Sequence, residues 1–200
     1  MKKLVLASGN KGKLAELNRM LEPKSIQVIA QSEFKIPDAD ETGLTFIENA
    51  IIKARHAAKL SGLPALADDS GLEVDALKGA PGIYSARFSG SGSTDQTNNT
   101  KLLQELADLP ETQRTARFHC VLALMKHEND PTPLICHGVW EGRILSEPSG
   151  DNGFGYDPLF FAFDQECASA NLTPAVKNKV SHRGQAMAQL IAQLALPEQD

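Results

Sequence analysis

LVLASGNKGKLAELNRML (residues 4–21) reads as a short buried strand, a Gly-punctuated polar turn and an amphipathic helix. Residues 4–7 are apolar throughout, as a strand covered on both faces requires. From Lys11 to Leu21 the apolar positions become Leu14, Leu17, Met20 and Leu21, one stripe at helical spacing. The period thus changes from that of a strand to that of a helix across a glycine turn, which predicts an α/β or α+β unit.

The rest of the chain continues the alternation. Residues 26–30 predict a second strand. After the polar loop PDADETG, residues 46–60 predict a strong helix, with Ile47, Ala50, Ile51, Ala54 and Ala58 at helical spacing. Thr45 with Glu48 forms a capping-box signature, and Gly62 followed by Pro64 stops the helix. Residues 64–67 predict a short strand running into a DDSG turn, with residues 72–76 extended. GAPGIYSARFSGSGS is a Gly/Ser-rich loop, longer than most loops of compact domains, which favours a functional reading. Thr94 or Asp95 caps a helix to about residue 107. Residues 117–125 and 134–143 predict two strands, the first apolar on both faces like a central strand. A second irregular segment, PSGDNGFGYDP, precedes a short strand at 159–161, and a helix over 184–196 follows. No repeat or linker interrupts this pattern. The expectation is a single α/β domain over residues 1–200, one mixed twisted sheet with helices packed on it.

Two hundred residues suffice for one sizeable core or two small lobes. No stretch reaches the roughly 18–20 apolar residues of a membrane span, and the first apolar run is shorter than the roughly 7–15 residues of a signal-peptide core. Cys120, Cys136 and Cys167 are far apart, with no C-x-x-C pair for zinc or redox work, which points to a cytoplasmic protein. The net charge of −5 argues against a nucleic-acid partner held by a broad basic surface. It leaves room for a small polyanion held by a few cations and a metal ion.

Four polar clusters carry candidate chemistry. Ser8-Gly9-Asn10-Lys11-Gly12-Lys13 opens a helix, where backbone N–H groups bind anions and glycines let a phosphate approach. It is neither a Walker A loop nor a G-x-G-x-x-G fingerprint, and an exposed strand-to-helix turn fits equally well. Asp68-Asp69-Ser70-Gly71 ends an apolar strand. Successive strand residues face opposite sides, so one carboxylate can meet a cation or a water while the other braces the turn. An Asx turn closed by Gly71 explains the same letters. The acidic loop Asp38-Ala39-Asp40-Glu41 can add a metal ligand or simply be solvated. On the strong helix Asn49 and Lys53 share a face, and Lys53 can reach a phosphate or be a surface lysine. Gly153-Phe154-Gly155-Tyr156-Asp157-Pro158 offers a ring to stack on a base and a carboxylate for a ribose, a base edge or a metal, unless it is only a tight turn. Lys177 and Ser181-His182-Arg183 gather donors before the last helix, where they can read a purine carbonyl or merely start the helix. No G-x-S-x-G elbow accompanies the histidines, so a serine-hydrolase triad is not indicated.

In order and wording these stretches resemble the inosine triphosphate pyrophosphatase family, most closely its bacterial dITP/XTP pyrophosphatase branch. The matching runs are ASGNKGKLAEL, ETGLTFIENAIIKARHAA, PALADDSGLEVDALKGAPGIYSARFSG, ARFHCVLAL, GFGYDPLF and SHRGQA, spread over nearly the whole chain. The resemblance implies Mg²⁺-dependent hydrolysis of deaminated purine triphosphates to the monophosphate and pyrophosphate. It also implies an elongated two-lobed fold with a central cleft, and a homodimer. Carried onto this sequence it implies that Ser8, Gly9, Asn10, Lys11, Gly12 and Lys13 hold phosphates with Lys53 assisting. Asp69 would be general base or metal ligand, with Glu41 a second carboxylate at the metal. Ser70, Phe154, Gly155, Tyr156, Asp157, Lys177, His182 and Arg183 would contact the nucleotide. Ser8 stands where the family often has Thr, Asn171 replaces a usual Glu, and Val176 stands where an acidic residue is expected before Lys177. Other classes that fit are a house-cleaning pyrophosphatase for modified pyrimidine triphosphates and a non-catalytic nucleotide sensor.

Overall fold

The computed structural model describes residues 3–8 and 11–194. Seven strands form one mixed sheet in the order β2-β1-β3-β4-β5-β6-β7. They are β1 (Lys3–Leu6), β2 (Gln27–Ala30), β3 (Ala65–Val74), β4 (Thr115–Met125), β5 (Leu134–Ile144), β6 (Phe160–Ala162) and β7 (Cys167–Ala168). The helices are α1 (Lys11–Leu21), α2 (Phe46–Ser61), α3 (Asp95–Glu105), α4 (Pro174–Val180) and α5 (His182–Leu194). The α/β class and the central place of β4 agree with the sequence expectation.

The chain divides into two compact units. One comprises the residues up to Asp69, Val121–His137 and the chain from Ala186; the other comprises Ser70–Cys120 and Gly138–Gln185. In the first unit β1 pairs in parallel with β2 and β3, joined by helical crossovers as parallel pairing requires. Helix α1 packs on β2 and α2 on β1. Leu4, Val5, Leu6, Leu66 and Ala67 are fully buried or nearly so. The second unit has its own core, with Leu72, Val74, Leu102, Phe118, Trp140, Tyr156 and Phe160 in one cluster. Its β5-β6-β7 edge is antiparallel.

Helix α2 begins as its letters predict. Thr45 Oγ1 accepts from Glu48 N at 3.2 Å, and Glu48 Oε2 accepts from Leu44 N at 2.8 Å. Its buried face differs from the expected stripe. Phe46, Asn49, Ala50, Ala54, Ala57 and Ala58 are buried, whereas Ile47 is 43% exposed. At about 100° per residue the face centres on Ala50 and Ala57, which puts Ile51 outside it, while Ile47 shares its direction but stays exposed in the first turn.

The largest departure is at Asp68-Asp69-Ser70-Gly71. No turn forms; β3 runs unbroken for ten residues through all four. Gly71 keeps a strand conformation, and both carboxylates find lysine partners, so nothing forces the chain to bend. The long Gly/Ser-rich segment is also ordered, as a 3₁₀ helix over Gly82–Arg87 tied down by Ser85, whose Oγ accepts from Leu72 N at 2.9 Å. The last helix starts two residues earlier than expected, and α4 and β7 carry too few residues to leave a period in the sequence.

Candidate active site

In the first unit two ion pairs share the middle of β3. Asp68 accepts from Lys13 Nζ at both carboxylate oxygens, at 2.8 and 2.7 Å. Asp69 Oδ1 accepts from Lys53 Nζ at 2.6 Å, and the same ammonium lies 3.0 Å from Glu41 Oε1. Both aspartates are buried, at 7% and 8% exposure. Alternation along the strand sends the two carboxylates to different partners. Lys13 comes from the first turn of α1, and Lys53 from the second turn of α2, which packs on β1. Lys53 is therefore a half-buried bridging cation and not the surface lysine that its isolation on the helix also allowed. Asp68 braces an ion pair where a turn was expected.

The electrostatics follow from this burial. Burial pushes the Asp69 carboxyl above the ordinary aspartate value; Lys53 pulls it down, and Glu41 and Asp68 push it up again. Burial opposes the charge on Lys53 too, but Asp69 and Glu41 outweigh it and hold the ammonium above its ordinary value. Asp69 Oδ2 is buried with no hydrogen-bond partner among the described residues. A buried carboxylate oxygen in that state is a ready acceptor for a water proton or ligand for a cation.

Ser8 lies half-buried just after β1, and Gly12 is exposed on α1. Gly9 and Asn10, and the side chains of Lys11 and Met20, lie outside the described residues.

The second unit holds the aromatic and basic residues. Phe154 is 62% exposed, with Lys177 Nζ 5.0 Å and Arg183 Cζ 6.0 Å from its ring centroid. Asp157 is buried and accepts from Phe154 N and Ser169 Oγ, each at 2.8 Å, and from Lys177 Nζ. Its carboxylate shapes the loop that presents Phe154. Tyr156 is a core residue whose hydroxyl donates to Ser85 O at 2.8 Å, and burial pushes its phenol up. His182 stacks on Phe118 with centroids 4.7 Å apart and planes 14° from parallel. Ser181 immediately precedes α5, its Oγ accepting from Gly184 N at 3.3 Å. Gly184 admits no side chain, because a Cβ there would fall 2.3 Å from Asn178 O in α4. His182 and Arg183 are the first two residues of α5. Ser70 Oγ is buried without a hydrogen-bond partner among the described residues. At the departures, Asn171 Nδ2 donates to Ser149 Oγ at 3.2 Å and Val176 is exposed on α4, which still delivers Lys177 to Asp157.

Two contributors escaped the sequence reading. Asp95 Oδ2 accepts from Gly155 N at 2.6 Å, and Asn99 Nδ2 donates to Gly155 O at 2.9 Å. One turn of α3 thus grips both peptide groups of Gly155. The i, i+4 spacing of Asp95 and Asn99 was visible; their target 56 residues or more away was not.

Among the described residues no three His, Cys, Asp or Glu side chains cluster as a metal-binding group. In the first unit Asp69 and Glu41 share Lys53, while Asp68 pairs with Lys13.

The sequence signature of the Ham1 family matches residues 4–193. A dITP/XTP pyrophosphatase of Vibrio parahaemolyticus is 63% identical over 195 residues, covering 98% of each chain. A dITP/XTP pyrophosphatase of Escherichia coli K12 is 56% identical over 191 residues, covering 96% of this chain and 97% of its own. The structure of a HAM1 protein from Coxiella burnetii matches with a TM-score of 0.94 at 56% identity, covering 97% of this chain and 98% of that one. The Staphylococcus aureus Ham1 protein matches with a TM-score of 0.89 at 41% identity, covering 96% and 98%. Whole-length sequence and fold agree, and the chain belongs to the Ham1 family.

Proposed function

We propose that this chain hydrolyses deaminated purine nucleoside triphosphates (ITP, dITP and XTP) to the monophosphate and pyrophosphate. The name of its 56–63% identical relatives supports the substrate class. The observation that carries the chemistry is Asp69, buried, charge-paired through Oδ1 and without a hydrogen-bond partner at Oδ2 among the described residues.

In this reading the lysines and the polar segment from Ser8 to Lys13 take the phosphates, and Asp69 orients a water and accepts its proton. The water oxygen forms a bond to the α-phosphorus, the bond from that phosphorus to the bridging oxygen breaks, and pyrophosphate leaves. Such catalysis is mostly positioning and charge neutralisation. Asp69 and Glu41 both lie against Lys53, and Mg²⁺ binds through one or two carboxylates with waters and substrate phosphates completing its shell. Asp69 and Glu41 would hold it, and when bound it would neutralise phosphate charge and acidify water.

Base choice would follow from hydrogen-bond polarity. Phe154 offers an exposed face for stacking, while His182, Arg183 and neighbouring N–H groups supply donors to a six-keto oxygen. Adenine's six-amino group would set donor against donor, and two such mismatches at about 1.5 kcal/mol each, within the usual range, give about 100-fold discrimination.

The reading includes a homodimer in the cytoplasm. The three free cysteines suit a reducing compartment, and no helix among the described residues is long and apolar enough to cross a membrane. Light scattering that finds one chain mass removes the dimer. The function itself is tested by phosphorus NMR of ITP, XTP, GTP and ATP with enzyme and Mg²⁺. Monophosphate and pyrophosphate from ITP and XTP, with ATP about 100-fold slower or more, is the expected result. Orthophosphate release, or ATP consumed as fast as ITP, would contradict it. Binding without turnover would instead favour a sensor, and turnover of modified pyrimidine triphosphates alone the pyrimidine enzyme.

A further inference from the structure

One helical turn before Lys53, α2 carries a polar group that the chemistry above leaves unused. Asn49 is completely buried, and its Oδ1 accepts from Gly43 N at 2.9 Å. A backbone N–H can only donate, so this contact fixes which end of the amide faces the loop. Nδ2 is then buried with no hydrogen-bond partner among the described residues. An unmade buried donor detracts from stability, and an apolar side chain at this position would avoid that cost. Holding Gly43 is what the amide gains.

Gly43 lies two residues after Glu41. A Cβ there would fall 2.6 Å from Glu48 Cβ and 2.7 Å from Asn49 Oδ1, so the loop backbone rests directly on the first turn of α2. The next residue is tied to the same turn, with Leu44 N donating to Glu48 Oε2 at 2.8 Å. Glu41 pairs with Lys53, which in turn pairs with Asp69.

We propose that Asn49 and Gly43 act as a positioning pair that sets Glu41 against the Lys53–Asp69 ion pair. The proposal rests on reading Asp69, Lys53 and Glu41 as the reaction centre. Asn49 touches neither water nor phosphate in it. It acts through Glu41, so its loss shows in turnover and not in nucleotide affinity.

The test is a double-mutant cycle of Asn49→Ala and Glu41→Ala, measuring kcat and KM for ITP, with hydrogen exchange of the Gly43 amide as a second readout. Asn49→Ala is expected to lower kcat toward the roughly 100-fold that ångström-scale misplacement can cost, with KM little changed. The Gly43 amide should exchange faster in that variant. In the Glu41→Ala background Asn49→Ala should add nothing, the signature of residues acting as one unit. Full kcat in Asn49→Ala, or an equal loss in both backgrounds, overturns the proposal. Should Asn49→Ala fail to fold, Gly43→Ala enters the same cycle, since its Cβ displaces the loop and leaves Asn49 in place. If Glu41→Ala alone keeps full kcat, the role of Glu41 in the reaction centre fails and this proposal with it. Intact turnover in Asn49→Ala alone overturns only the positioning role.

Discussion

Asp68 and Asp69 are adjacent and equally buried, yet they answer to different lysines. Asp68 is satisfied at both oxygens by Lys13, while Asp69 keeps one oxygen without a partner among the described residues. That difference selects Asp69 as the reactive member. Burial raises its carboxyl above the ordinary aspartate value of 3.8, Lys53 lowers it and Glu41 raises it. Its ionisation is therefore disfavoured in the folded protein, and that stabilising contribution of the protonated form is lost as pH rises through the raised value. In metal-free protein we expect the Asp69 carboxyl to titrate above 3.8 by carbon-13 NMR, with Asp69→Asn identifying the resonance. Glu41→Gln should lower that midpoint and Lys53→Met should raise it. A midpoint at or below 3.8, or shifts of the opposite sign, would contradict this electrostatic account. The letters DDSG told that two neighbouring carboxylates must diverge. They did not tell which lysine each meets, because Lys13 and Lys53 lie 55 and 16 residues away and only folding brings them together.

Strand β3 was misjudged because Asp, Ser and Gly favour turns when nothing pairs their polar groups. Two lysines remove that condition, and a strand ten residues long results. Helix α2 was legible because its start carries its own local instruction in Thr45 and Glu48. The β4–β5 hairpin is closed by a comparable local device, Asp130, which accepts from Lys126 N and Thr132 N, each at 2.9 Å. The Lys126 N–H foremost, then the Thr132 N–H, hold its carboxyl below the ordinary range although burial opposes them. A carboxylate with a depressed folded value adds stability above its unfolded value and loses it as pH falls through the folded one. Asp130→Ala should therefore cost about 1–3 kcal/mol at neutral pH through two orphaned N–H groups. Urea unfolding should show the gap from wild type narrowing below about pH 4. A gap unchanged between pH 7 and pH 3 would mean that Asp130 acts by packing and not by its charge.

At the scale of the whole molecule, each compact unit carries one kind of chemistry. The first gathers Lys13, Glu41, Lys53, Asp68 and Asp69; the second gathers Phe154, Lys177, His182 and Arg183. The chain passes from one unit to the other within β3, β4, β5 and α5. The alternation of periods and the polar clusters made the α/β class and the participating residues readable. What stayed hidden was support from a distance, such as the hold of Asp95 and Asn99 on Gly155 and that of Asn49 on Gly43. Single polar residues of this kind leave no periodic trace, so their partners emerge only from the fold. The central claim is that the Asp69 carboxylate activates the attacking water. Single-turnover hydrolysis of ITP by Asp69→Asn, set beside equilibrium binding of ITP to the same variant, tests it most directly. Hydrolysis slowed on the order of 100- to 10,000-fold with binding largely retained is the predicted result, and hydrolysis at near the wild-type rate would contradict it.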